Sequence, residues 1–595
     1  MASESDGEQS SMKHVNHTAD LCVVGGGLSG MCAAIAAARG GAKVVLMHDR
    51  PVLGGNASSE VRMWICGAHG PSMRETGILE EIELDNIYYN RSVSYAVWNA
   101  VLYGKVRFEP NITLLLNCSC NQATMDGPRI ESVTGWQGTA ETWHTVSATL
   151  FADCSGDSIL APLTGAEYRV GREAQGEFDE DIEPEQADSK TMGMSCLIQS
   201  READEPQPFI PFPWANTYDT CDDLPNRGHD PRSTNYWWIE LGGEHDSIHD
   251  TEMLRDELLK VSYGLWDHIK NRCVADADNL ALDWVGFLPG KRESRRYVGD
   301  HILTQNDVRN EGRFEDVVAY GGWSMDDHHP GGMNWPGAPT IFHPAPSPYG
   351  IPYRCLYSRN IENLLFAGRN ISVTHAAMSS TRVMATCSIL GQAMGAAAAL
   401  AIRDGLSPRG VYDSRRAQLQ QTLMEDDCYL PWAARRVPAI MGSAKLSASE
   451  GDPEPLRNGI DRPVGDTSHA WTGHVGAWAQ CEFASRQNLA QARIVFDSDL
   501  DRKGKNMPAM FPKDPAGVSV PAACALLDGA PPTMTRAFHI EALDPSGAWQ
   551  TVAREENNFQ RLVRVDLGVT TTAVRLVLDA TWGSQTPRVF SWDVR

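Results

Sequence analysis

Residues 20–56 read DLCVVGGGLSGMCAAIAAARGGAKVVLMHDRPVLGGN, in the order strand, glycine turn, helix, strand, second glycine turn. The apolar run 21–24 is short and ends in Gly, the pattern of a parallel strand buried on both faces. Gly25-x-Gly27-x-x-Gly30 then opens an Ala-rich helix. Gly25 makes the tight turn, Gly27 lets a diphosphate approach the backbone, and Gly30 lets the helix pack closely on the strand. Leu28 and Ser29 fall in the first helical turn, where free N–H groups and a partial positive charge meet the anion. The stretch predicts a Rossmann-like α/β unit that binds a dinucleotide.

The next motif, Leu53-Gly54-Gly55-Asn56, resembles the glycine turn after the second strand of glutathione-reductase-like flavoproteins, which implies FAD. Those proteins usually end that strand in a Glu that binds the adenosine ribose. Here the aligned residue is His48, followed by Asp49 and Arg50; the resemblance places them beside the adenosine, with Asp49 able to accept the ribose hydroxyls. Cys154-Ser155-Gly156-Asp157 resembles the "ATGD" turn of the same proteins and brings Ser155, Gly156 and Asp157 back to the FAD edge. Residues 361–400, IENLLFAGRNISVTHAAMSSTRVMATCSILGQAMGAAAAL, resemble the closing FAD segment. They supply a strand at 364–367, a turn at Gly368-Arg369-Asn370, and a long helix from about residue 380 that carries Arg382. In that superfamily the helix amino terminus faces the flavin pyrimidine ring. Together with KRESRR (291–296), YGIPYR (349–354) and AGRN-x-S-x-x-H (367–375), these motifs resemble the bacterial FAD-dependent oxidoreductase family over residues 19–405.

A chain of 595 residues is too long for one core and suggests about two to four domains. The net charge of −24 argues against nucleic acid as a partner, because neutralising phosphates needs a basic surface. It also disfavours anionic membranes. Residues 1–18 are polar and read as a disordered tail rather than a signal peptide. The longest apolar stretch, 393–402, is too short and Ala-rich to span a bilayer. The 14 Cys contain no CxxC pair, so free thiols in a reducing cytoplasm are expected. The expected plan is a Rossmann-like FAD-binding domain (19–160 and 349–430) with an inserted α+β substrate domain (161–348).

The segment after Asn56 leads into a helix expected over residues 74–104. In flavoproteins this region passes the flavin ring, so the resemblance makes Arg62, Trp64 and His69 candidates for substrate contact or catalysis. His343 and the run Asp326-Asp327-His328-His329 lie in Pro- and Gly-rich loops, where binding residues gather. Pro352 fixes an extended chain that projects Tyr353 and Arg354, with Tyr349 just before it. The basic run 291–296 is expected mainly to pair with carboxylates. Glu244-His245-Asp246-Ser247-Ile248-His249-Asp250 has His at i and i+4, a metal-ligand spacing. Acids at the start of the periodic helix that follows explain it better, and no metal is expected.

From about residue 447 to 595, short strand patterns (ARIVFDS, FHIEALD, WQTVARE, LVRVDLG, AVRLVLDA, FSWDVR) imply an all-β sandwich. It resembles the galactose-binding-like, discoidin-type jelly roll; Trp471, Trp478 and Trp582 are either core or sugar-stacking residues. The function implied is a flavin oxidoreductase that moves a hydride from a carbon bearing a hydroxyl, on a carbohydrate or other polyhydroxylated small molecule, to flavin N5. Oxidation needs a base for the hydroxyl proton, and His69 or His375 is the candidate, with Tyr353, Arg354 and Arg62 orienting the substrate. Three other readings compete: a fumarate-reductase-like C=C reductase on an anionic substrate, an RNA-modifying flavoenzyme, which the charge disfavours, and a flavin-containing glycan-binding protein. With no second GxGxxG, electrons are expected to leave to an external acceptor, oxygen or a carrier. Self-association as a homo-oligomer is left open.

Overall fold

The computed structural model describes residues 12–229, 235–273, 277–502, 527 and 529–595. Runs that are apolar on both faces form the centre of the first sheet. Its strands are β1 (Lys13–Val24), β2 (Val44–Met47), β3 (Ile112–Leu115), β4 (Cys118–Asp126), β5 (Arg129–Gln137), β6 (Thr142–Asp153) and β7 (Leu364–Phe366). The order is β3-β2-β1-β6-β5-β4, with β7 alongside the end of β6. Leu21 lies opposite Val44 on one side and Leu150 on the other, and Leu364 opposite Phe151, all in parallel. β4 and β5 are an antiparallel hairpin turned at Gly127, with φ +55°.

Three boundaries differ from expectation. Residues 13–18 are not tail: they extend β1 along β6, His14 opposite Trp143, and His17 bonds His144 ring to ring at 2.9 Å. The remainder of the expected tail, 1–11, lies outside the described residues. The helix expected over 74–104 is two, α2 (Ile78–Tyr89) and α3 (Tyr95–Arg107). Asn90 breaks them by accepting from the Ser94 N–H at 2.8 Å, after which the Ser94 hydroxyl caps α3. The closing helix is also interrupted: α5 (His375–Thr381) stops at Arg382, and α6 (Met384–Asp404) starts after Val383.

Helix α6 is long and apolar enough to cross a bilayer, yet 89% of its apolar window is buried inside the protein. It lies backbone to backbone on α1 (Leu28–Arg39). A Cβ at Gly391 would collide with the Ser29 carbonyl, and one at Gly395 with that of Ala33. α7 (Pro408–Glu425), capped by Ser407, follows. The region between β6 and β7 is α+β: short antiparallel pairs such as Ile198–Glu202 with Leu280–Val285 and Met325–His328 with Thr340–His343, and helix α4 (Thr251–Asp267). Trp238, Trp266, Leu258 and Leu265 fill its own core.

The C-terminal region is an all-antiparallel sandwich. Its main strands are β8 (Trp478–Phe496), β9 (Thr535–Leu543), β10 (Trp549–Glu555), β11 (Leu562–Thr581) and β12 (Arg588–Val594), in the order β12-β8-β11-β9-β10. LVRVDLG and AVRLVLDA are one strand, β11, because Gly568 at φ +58° makes a bulge there instead of a turn. Trp471 is fully buried and its indole N–H donates to the Glu450 carbonyl at 2.9 Å. Trp582 donates to the Asn558 carbonyl and stands edge-on to Tyr88 of α2. Trp471 is thus closed to a sugar, while Trp582 is half-buried.

Leu84 and Ile87 of α2 belong to the sandwich core, and Tyr88 stacks on Phe559 at 3.9 Å between ring centres. Arg502 makes two parallel 2.7 Å bonds to the Glu80 carboxylate, both side chains buried. The sandwich is therefore welded to the FAD domain rather than tethered. Arg502→Ala strands the Glu80 charge and should cost about 3–5 kcal/mol. Chemical denaturation followed by tryptophan emission and by flavin release should show both transitions moving together; a shift in the first alone would mean the two regions are independent.

Candidate active site

One cavity of about 600 Å³ runs from the C-terminal ends of β1 and β2 to the chamber under the α+β region, the size range of a small-molecule site. Its floor is the first glycine turn. Gly27 caps α1 with no side chain satisfying the first-turn N–H groups, which leaves them for an anion. The turn has no room for side chains: a Cβ at Gly25 would overlap Cys154, and one at Gly30 the Gly25 carbonyl. Gly30 is thus a packing residue and does not line the cavity. Gly25, Gly27, Leu28, Ser29, Gly54, Gly55 and Asn56 do.

His48, which stands where the related flavoproteins have Glu, is buried and braces the two turns. Its Nδ1 accepts from the Gly26 N–H and its Nε2 donates to the Val52 carbonyl, each at 3.0 Å. Asp49 and Arg50 reach the same end of the cavity, and Nη1 of Arg50 is buried there without a protein partner. Burial would raise the Asp49 carboxyl, but His48 and Arg50 outweigh it and hold it below its usual value, so it is an anion able to accept from hydroxyls.

Midway, Ser155, Gly156, Asp157, Gly368 and Arg369 line the cavity. Asp157 accepts from Lys291 Nζ at 2.9 Å, Arg369 Nη2 at 2.8 Å and the Ser294 hydroxyl at 2.8 Å. Burial is outweighed by Arg369 and Lys291, which hold its carboxyl well below the ordinary range. A Cβ at Gly156 would meet the Arg369 guanidinium. Asn370 lies behind the wall, buried, 3.5 Å from Asp153.

The far chamber is walled by Trp64, Trp237, Trp323 and Phe342. His69 lines its edge, stacked on Trp323 at 4.4 Å. Arg382 donates to the Asp326 carbonyl at 2.9 Å and carboxylate at 3.2 Å. His328 sits between Glu240 (Nδ1, 2.8 Å) and Asp326 (Nε2, 3.3 Å). Arg292 faces Glu240 at 3.4 Å and donates to the Ser195 hydroxyl at 2.9 Å. Burial would raise the Asp326 carboxyl, yet His328 and Arg382 keep it ionised. Of these residues, His328 and Asp326 are visible in the sequence only as members of a His-rich loop, and Trp237 and Ser195 carry no signal there.

Several expected site residues are elsewhere. His375 is fully buried outside the cavity, with Nδ1 2.8 Å from Glu293 and Nε2 3.3 Å from Asp327. Burial would lower its pKa, but the two carboxylates raise it well above the ordinary value, so it is a fixed cation and not a base. Tyr353 donates to the Pro408 carbonyl and Arg354 is clamped by Asp316; both anchor the start of α7. The Tyr349 hydroxyl is spent on Ser380 at 2.6 Å. Arg62 is sandwiched between Tyr95 and Trp284 at 4.5 and 4.4 Å and donates to Gln199. His343 ends a strand paired with Met325, beside the lining residue Phe342. His249 is exposed and bonded to Asp246, which accepts from the N–H groups of Ile248 and His249, as expected of acids before α4.

The cavity fits FAD: it is long, opens on bare helix N–H groups at the glycine turns, and carries unpartnered buried nitrogens of Arg50, Arg369 and Arg382 at its wall. At Gly27 an added Cβ meets only the Gly55 Cα, at 3.8 Å, and the backbone there is extended. Gly27→Ala should therefore leave the apoprotein's melting temperature unchanged while weakening FAD about tenfold or more, a loss of roughly 1.4 kcal/mol. Equilibrium titration with FAD beside a thermal melt checks both; unchanged affinity would mean no ligand approaches this turn.

The similar solved structures include a point mutant of the E. coli quinol fumarate reductase FrdA, 12% identical, covering 70% of this chain and 75% of that one with a TM-score of 0.28. Two others match the C-terminal region: the family 32 carbohydrate-binding module from Streptococcus pneumoniae EndoD (14% identity, 26% of this chain, 97% of that one, TM-score 0.19) and that of C. perfringens NanJ in complex with galactose (8%, 26%, 95%, 0.18). No curated protein matches the chain. The sequence profile of the FAD dependent oxidoreductase family matches residues 20–423, and with most of its length matched the chain belongs to that family.

Proposed function

We propose that the protein oxidises a hydroxyl-bearing carbon of a carbohydrate or other polyhydroxylated small molecule and passes the electrons to an external acceptor, oxygen or a carrier. The observation that carries this reading is the charge balance of the far chamber. Arg292 and Arg382 are each matched by a carboxylate, Glu240 and Asp326, between aromatic walls. Such paired groups present fixed donors and acceptors to hydroxyls, and the rings stack on an apolar sugar face. A dicarboxylate would instead call for cations left unmatched.

Bound FAD would supply the hydride acceptor. His69 is the base in this reading, because among the described residues its ring nitrogens have no hydrogen-bond partner and it lines the chamber. Trp323, stacked on it, holds the ring's plane. Asp326 and His328 hold the substrate hydroxyls, and Asp49 takes the ribose.

An anaerobic screen of sugars, polyols and unsaturated acids, read by bleaching of the oxidised flavin, is the test. Sugars or polyols should bleach it; photoreduced enzyme that is reoxidised by enoates and never reduced by sugars would establish the C=C reductase alternative instead. With the best donor found, His69→Asn should slow bleaching about 10²–10⁴-fold while FAD content and photoreduction stay normal. An unchanged rate would remove His69 from the reaction.

A further inference from the structure

A second group of chemically able side chains lies in the α+β region, apart from the residues that line the cavity. Cys221 begins a one-turn 3₁₀ helix (Cys221–Asp223), and His229 follows it in the same loop. His268 and Cys273 are the two ends of a π-helical turn, His268–Cys273, that continues α4. One ligand atom from each of the four lies within 4.8 Å of all the others.

The surroundings aim these atoms at one point. His268 Nδ1 is 2.8 Å from the Tyr218 carbonyl and His229 Nδ1 is 3.1 Å from that of Arg227. A carbonyl on Nδ1 holds the proton there and turns Nε2 into the free lone pair, the arrangement found around metal-bound imidazoles. His268 is fully buried, and its Nε2 has no hydrogen-bond partner. A buried polar nitrogen left bare is destabilising, so it asks for a ligand. The two rings stand edge to face, 5.1 Å apart.

The helix irregularity has the same explanation. In an α-helix, residues five apart point roughly 140° away from each other. An i→i+5 turn brings them onto one face, and such turns gather at functional sites. Here that places Cys273 beside His268. The opposite side of the site is also fixed: Thr220 and Asp223 cap each other around Cys221, with the Thr220 N–H donating to Asp223 at 2.8 Å. Arg272 ties the two pieces by pairing with both Asp267 and Asp219.

We propose that Cys221, His229, His268 and Cys273 bind a zinc ion as a closed, structural Cys₂His₂ site. With Zn–S near 2.3 Å and Zn–N near 2.0–2.1 Å, a tetrahedron sets its ligand atoms roughly 3.3–3.8 Å apart. The separations here, all within 4.8 Å, exceed that by at most about 1 Å, within reach of small side-chain rotations at the exposed Cys221. Four protein ligands leave no open position, so the ion acts as a staple between the 218–229 loop and the end of α4. Binding displaces the two thiol protons to solvent and changes no oxidation state.

The test is elemental analysis of the full-length protein purified without chelator from zinc-supplemented cells. About one zinc per chain is expected. Stripping it with a chelator should expose two further thiols to a thiol reagent, and adding cobalt(II) to the stripped protein should give the red-wavelength absorption of tetrahedral thiolate cobalt, beyond the flavin bands. Cys221→Ser and His229→Ala should each weaken zinc at least roughly tenfold, with FAD content confirming that the variants fold. Metal-free protein that gives no cobalt spectrum, or a Cys221–Cys273 disulfide detected by mass, would overturn the proposal.

Discussion

Four backbone segments meet in this protein with no side chain between them. The turn after β1 touches the turn after β6 at Gly25, α1 touches its own turn at Gly30, and α6 touches α1 at Gly391 and Gly395. Any Cβ at these points would overlap a carbonyl or amide of the neighbouring segment. Because interiors are already packed to crystal density, such crowding sets positions to a fraction of an ångström. It fixes where the ends of β1, β2, β6 and β7 stand, and hence the line of the crevice that the cofactor follows.

Charge is handled by local pairing throughout. Despite an overall charge of −24, the interior Arg side chains each find a carboxylate or carbonyl: Arg502 with Glu80, Arg296 with Glu173 and Glu293, Arg435 with Asp593, Arg561 with Asp427. Such pairs contribute little net stability when complete and cost much when broken. Their effect is to define one arrangement of sandwich, FAD domain and α+β region. In the far chamber the same habit leaves a site rich in fixed hydrogen-bonding groups and poor in surplus charge.

The floor of the cavity is legible in the sequence and its roof is not. Glycines at 25, 27, 54, 55, 156 and 368 announce themselves because few backbones need them, and the structure sets all six along the cavity. Roof residues come from short strands and loops with no period to follow: Ser195, Trp237 and His328 are brought together only by tertiary packing. Tyr353 and Arg354 do project from a rigid segment, as Pro352 implies, but they project toward α7 and Asp316. His375 has the sequence position of a base because it follows the closing turn; the buried Glu293 and the half-buried Asp327, remote in sequence, make it a cation. The four candidate zinc ligands escape a sequence reading for a related reason, since a His and a Cys five apart fall on different faces of an ordinary α-helix.

Close helix contact shapes the cofactor crevice from behind, and one comparison isolates it. Gly391 faces α1, away from any ligand, whereas Gly442 lies in the linker helix Ala439–Ser443 with open space around it. Flavin-to-protein ratio and FAD affinity should be measured for Gly391→Ala and Gly442→Ala side by side. Overpacking of about 1–3 kcal/mol at residue 391 should displace α1 and weaken FAD roughly tenfold or more, with the residue 442 variant unchanged. Wild-type FAD affinity in Gly391→Ala would mean that this helix contact does not shape the crevice.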